Sequence, residues 1–221
     1  MTPRAKLKSV RVAGSALLAI LFAFGAERSW AQLPTGALTP AQVDRIVAGI
    51  QMLRELKFKS KVPISYLTPD QIALRIKAEI KRQKLSGSLA LEAKAGAMLG
   101  LYPPNFDLAE VSVGMLKRQI AGFYDPRKKD LVIVESPLAK GVNITRVQKL
   151  ETVNVVAHEL THGLQDQHFN IGATLEQAKN DDDRSVAMRA VIEGDATLAG
   201  FGFIAGRMDD EVLNVFVKHI P

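Results

Sequence analysis

His158-Glu159-Leu160-Thr161-His162 is an HExxH stretch inside a helix-like run predicted over residues 145–168. Histidines four apart on a helix stand about 40° apart around the axis and about 6 Å apart along it. Two imidazoles so placed can share one Zn²⁺, which leaves a neighbouring carboxylate to act on a water at the metal. Glu159 is that carboxylate, since it adjoins His158 but cannot share its face of the helix. Leu150, Val153, Ala157, Leu160 and Leu164 form the expected core stripe, and Asn170-Ile171-Gly172 is expected to end the helix.

Catalytic zinc takes three protein ligands and keeps one position open. His168 completes an HExxHxxGxxH spacing, but its helix-breaking glycine position is Gln165 here. On an unbroken helix His168 lies about 9 Å beyond His162 and about 120° away in azimuth, out of reach of a shared metal. The other candidate is Glu193, in Ile192-Glu193-Gly194-Asp195-Ala196-Thr197 on the next predicted helix, residues 184–207. A helix hairpin can bring that carboxylate against the histidine face and complete a His₂Glu set. Gly194 beside it weakens a helix, and a close approach of backbone at a packed site is the expected reason.

Upstream, residues 119–124 and 131–134 read as two short strands around the polar turn Asp125-Pro126-Arg127-Lys128-Lys129-Asp130. Thr39-Pro40 and Thr68-Pro69 each read as N-cap and first helical residue, opening helices over residues 40–57 and 69–85. A third helix is expected over residues 88–99. Tyr102-Pro103-Pro104-Asn105 then breaks the pattern. The organisation expected is a helical segment over residues 32–105 followed by a domain over residues 106–221.

Residues 1–31 stand apart. Arg4, Lys6, Lys8 and Arg11 precede an apolar run over residues 12–26, and Ser29 and Ala31 supply small residues at the −3 and −1 positions. That order is a signal peptide with cleavage expected after Ala31, which places the protein outside the cytoplasm, secreted or periplasmic. The apolar run is short for a bilayer span, so no stable membrane span is expected after cleavage. With no cysteine there is neither a disulfide nor a lipid-anchored cysteine. The chain of 221 residues carries +6, but residues 1–31 hold five of its basic and one of its acidic side chains, leaving +2 on the remainder. The high isoelectric point therefore gives no case for nucleic acid as a partner.

Ala121-Gly122-Phe123-Tyr124-Asp125, the HELTHGLQD stretch from His158 and Glu193-Gly194-Asp195-Ala196 together resemble the gluzincin branch of zinc metallopeptidases, in particular secreted bacterial gluzincin-like proteins. The resemblance covers about residues 115–206. It implies a mainly helical α+β fold with a zincin-like core: a small hairpin sheet, an HExxH helix and a glutamate helix behind the helical N-terminal segment. It also implies Zn²⁺ on His158, His162 and Glu193, with Glu159 as general base in peptide hydrolysis.

Two departures stand out. Many gluzincins have ExxxD on the glutamate helix, the aspartate supporting a zinc-bound histidine, and Thr197 occupies that place. Asp166, four residues after His162, and Asp195 are the candidates for orienting a ligand imidazole instead. Proteins of this kind also often continue further past the glutamate helix than Pro221, so the domain is expected to lack a C-terminal subdomain.

The substrate expected is a peptide or protein, lying extended against the edge formed by Gly122, Phe123 and Tyr124. Tyr124 and His219 are the candidates for stabilising the oxyanion. The absence of a GxMEN signature favours an endopeptidase over an aminopeptidase. The competing expectation is a secreted binding module that keeps a zincin-like shell without catalysis.

Overall fold

The computed structural model describes residues 38–82, 86–135, 146–178 and 181–206. Residues 1–31 and His219 lie outside these. The described chain is mainly helical, with one small three-stranded sheet, the α+β class expected from the sequence.

Helix α1 spans Pro40–Arg54. Its start is fixed by a reciprocal capping box, in which the Thr39 hydroxyl accepts from the Gln42 N–H and the Gln42 carboxamide accepts from the Thr39 N–H. It ends where Glu55 turns left-handed at φ 52°. Strand β1, Ile64–Leu67, follows, then α2 (Pro69–Arg82), α3 (Ser86–Met98) and α4 (Leu108–Gln119). The hairpin β2 (Gly122–Asp125) and β3 (Asp130–Val134) leads into the long helix α5 (Arg146–Phe169). Asn170, left-handed at φ 50°, separates α5 from the short α6 (Ile171–Ala178), and Asp181 caps α7 (Asp182–Ala205).

Three elements go beyond the sequence reading. β1 lies between Pro63 and Thr68-Pro69 and pairs in parallel with β3, Ile64 opposite Leu131. It comes from the segment before residue 105, so chain from both sides of that break shares one sheet. Helix α4 fills the stretch between the break and the first expected strand, where no element is expected, and takes in Gln119 from that strand, with Asp107 as its N-cap, so β2 begins only at Gly122. The stretch expected to end α5 does end it, at the left-handed Asn170, and its Ile171 at once opens the additional helix α6.

Strand order is β1-β3-β2, with β3 in the middle. Alternation along β3 sends side chains to opposite faces. Leu131 and Ile133 join Ile46 and Ile50 of α1, Val156, Leu160 and Leu164 of α5, and Phe203 and Ile204 of α7. Val132 and Val134 join Ile72, Ile76 and Ile80 of α2, Leu89 of α3 and Leu116 of α4. The sheet is thus the middle of three layers, with α5 and α7 side by side on one face. Close approach of those two helices is allowed by Gly200, where a Cβ would stand 2.7 Å from Asn154 Oδ1. No described helix is long and apolar enough to cross a membrane.

Candidate metal centre

Helix geometry sets His158 and His162 on one face of α5, their rings edge to face with centroids 4.7 Å apart. α7 packs across that face and delivers Glu193. Its Oε2 stands 3.2 Å from His158 Nε2 and 3.4 Å from His162 Nε2, and the two Nε2 atoms are 3.1 Å apart. These three residues form a group able to hold a metal ion. Ligands bound about 2.0–2.1 Å from a tetrahedral ion lie about 3.3–3.4 Å from one another, so the observed triangle is close to one face of such a tetrahedron. The chemistry agrees, because three lone pairs converging this closely repel unless a cation or a proton lies among them. With a proton as occupant, burial works against the charge on His162, but Glu193 and Glu159 outweigh it and hold the imidazole up at about 9. Burial likewise opposes the charge on Glu193, yet hydrogen bonds to both imidazoles bring its carboxyl down to about 2.

Glu159 lies beside this triangle, buried, and makes no ligand contact. Burial pushes its carboxyl above the ordinary range, against the pull of His158 and His162. The Tyr124 N–H donates to its Oε2 at 2.8 Å. That donor is a strand-edge group. The Val134 N–H bonds the Ala121 carbonyl, so by antiparallel alternation the N–H groups of Gly122 and Tyr124 point away from β3.

The two candidates for orienting a ligand ring separate cleanly. Asp166 does not meet a ligand imidazole: its Oδ2 accepts from the Tyr124 hydroxyl at 3.0 Å and from Lys129 Nζ at 2.9 Å. Four residues beyond His162, it has passed to the side of α5 that faces the hairpin. Gly163 makes room for this contact, lying against the Tyr124 ring. Asp195 is near His162 but one residue removed, because Gln165 stands between them. Gln165 is the residue sequence reasoning missed. The expectation takes it only as a helix former, and the available signal is its place three residues after His162, within reach of the ring nitrogen that faces away from the triangle.

Other expectations resolve as follows. His168 bonds the Lys57 carbonyl at 2.8 Å and takes no part in the triangle. The Tyr124 hydroxyl is committed to Asp166, and burial together with that carboxylate raises its pKa, so it does not point into the triangle. Gly194 does not mark a close approach, because a Cβ there would meet nothing within 4 Å; Gly200 has that role. Arg189, one turn before Glu193 on α7, is partly buried and lies within the field of its carboxylate.

No family model, curated protein or solved structure matches this chain.

Proposed function

We propose that the protein is an exported zinc-dependent peptidase of gluzincin type, acting as an endopeptidase. The observation that carries this reading is the His158–His162–Glu193 triangle, with edges of 3.1–3.4 Å, set beside a buried carboxylate that is not a ligand. A site serving structure alone has no use for Glu159 in that place.

Zinc held by His158, His162 and Glu193 would supply Lewis acidity at a scissile carbonyl and would lower the pKa of a water towards about 7. Glu159 would take a proton from the attacking water and hand it to the leaving amine. Its raised proton affinity suits a group that must hold a proton between two transfers. An extended peptide adds to the outward edge of β2 through the backbone groups of Gly122 and Tyr124, with Phe123 turned into the core on the other face of the sheet. In doing so it competes with Glu159 for the Tyr124 N–H, and so frees the carboxylate for proton transfer as substrate arrives.

The test compares the purified wild-type chain with Glu159→Gln for zinc content and for cleavage of a mixed peptide library. Both proteins are expected to hold zinc, and the variant to lose about 10²- to 10⁴-fold in kcat/KM. Zinc in both with no cleavage by the wild type would overturn the peptidase reading and leave a metal-bearing binding module.

A further inference from the structure

We propose that Gln165 fixes the tautomer of His162 for the metal and, among the described residues, is the link through which Asp195 and Arg54 act on that ligand. This rests on the zinc reading above and concerns how the chain holds the metal, not what it hydrolyses.

Gln165 is buried on α5, one turn after His162. Its Oε1 lies 2.8 Å from His162 Nδ1. Its Nε2 donates to the Ile192 carbonyl at 3.0 Å and to Asp195 Oδ2 at 2.8 Å. A carbonyl and a carboxylate only accept, so the NH₂ end must face them and the oxygen must face the imidazole. Turning the amide over would set its oxygen against two acceptors and its NH₂ against the ring. With an acceptor at Nδ1, the proton sits on Nδ1 and the lone pair on Nε2, the atom that points into the triangle. Asp195 is held in turn by Arg54 of α1 at 2.7 Å. Three helices therefore contribute to one chain of contacts: Arg54, Asp195, Gln165, His162.

No other described carboxylate does this work. Asp166 is spent on Tyr124 and Lys129, and Thr197 stands where an aspartate would contact a histidine directly. A neutral amide takes the direct position, and the carboxylate sits one link further out, polarising the amide that polarises the ring. Arg54 anchors Asp195 and keeps it from swinging to solvent.

The experiment measures zinc affinity by competition with a chelator for wild type, Gln165→Leu, Asp195→Asn and the double variant, with melting curves as the folding control. Loss of an outer partner of a ligand histidine typically costs about 10- to 100-fold in metal affinity, and that is the drop expected for Gln165→Leu. Asp195→Asn should weaken zinc by less, and should add nothing in the Gln165→Leu background. A ¹H–¹⁵N correlation spectrum of the zinc-loaded wild type should show a downfield, slowly exchanging His162 Nδ1–H, the mark of a proton bonded to the Gln165 oxygen, and Gln165→Leu should lose it. Unchanged affinity in folded Gln165→Leu, additive losses in the double variant, or a rapidly exchanging His162 Nδ1–H without the downfield shift in the wild type would each overturn the relay alone. If Gln165→Leu fails to fold, the spectrum and Asp195→Asn still decide, since full zinc affinity in the latter overturns it. Absence of zinc from the wild type would overturn the zinc reading along with it.

Discussion

The two faces of the central sheet bury different chemistry. Towards α2, α3 and α4 the interior is mostly apolar; among the described residues its buried polar groups are Ser112, whose hydroxyl donates to the Leu108 carbonyl, and Asp125 at the hairpin end, paired with Arg75 of α2. Towards α5, a single helix buries Thr152, Asn154, Glu159, Thr161, His162, Gln165 and Asp166 among Ala157, Leu160 and Leu164. Polar groups taken from water cost free energy unless they find partners, and the partners on this side come from β2, α7 and the helix's own carbonyls. The first face is a scaffold whose stability offsets what the second face gives up to hold a site.

That division can be broken. The largest effect is expected from Ile72→Ala, on the scaffold face, where the side chain is fully buried. It should lower unfolding free energy by about 2–5 kcal/mol in chemical denaturation. Zinc affinity of the folded variant should stay as in wild type, and a parallel fall in affinity would show that the two faces are not independent.

A smaller effect is expected at the seam between sheet and site. Gly163→Ala places a methyl 2.9 Å from Val62 Cγ2 and 3.4 Å from Tyr124 Cε2. Overpacking of this kind costs about 1–3 kcal/mol. Because Tyr124 carries the N–H that holds Glu159, kcat should fall while zinc content is unchanged. Equal losses in zinc and in rate would argue that the seam positions the ligands instead.

The smallest effect concerns the hairpin clasp. Burial works against the charge on Asp125, but Arg75 at 2.8 Å and the N–H groups of Arg127 and Lys128 outweigh it and hold its carboxyl below the ordinary value of 3.8. A depressed carboxyl stabilises the fold above its unfolded pKa, and that contribution is lost as pH falls through the folded value. Acid unfolding curves of wild type should therefore steepen below about pH 3.8, and Asp125→Asn should flatten that limb.

Much of the scaffold was legible because its signals are local. Thr39-Pro40 and Thr68-Pro69 mark helix starts through capping geometry, and Ile72, Ile76 and Ile80 repeat at the period of a buried helix face. β1 was not legible. Its four residues are all only partly buried, so they carry no alternation, and what makes them a strand is a partner far along the chain. α4 had a local signal in Asp107 and Glu110, masked by the stronger break at Pro103-Pro104. At the site, the two histidines could be paired because one helix fixes their spacing. Asp166 could not be placed, since sharing a helix face with His162 does not reveal that the hairpin reaches that face first. Gln165 was hidden for the opposite reason. An amide has no charge to draw notice, and its meaning comes from the acceptors that α7 brings to it.

The parallel pairing of β1 with β3 bears on the order of assembly. β1 waits while α2, α3, α4 and β2 emerge, and only then meets its neighbour. Pairing across so long a stretch meets its loop-closure entropy before any contact rewards it, which makes folding slow. The tie between Arg54 of α1 and Asp195 of α7 spans more of the chain still. Both histidines can be helical early, but Glu193 and the outer contacts reach them only when α7 has docked. A metal ion therefore meets its full donor set only once α7 has docked. Its stabilisation should appear in a slower unfolding rate, while the refolding rate stays the same with or without zinc.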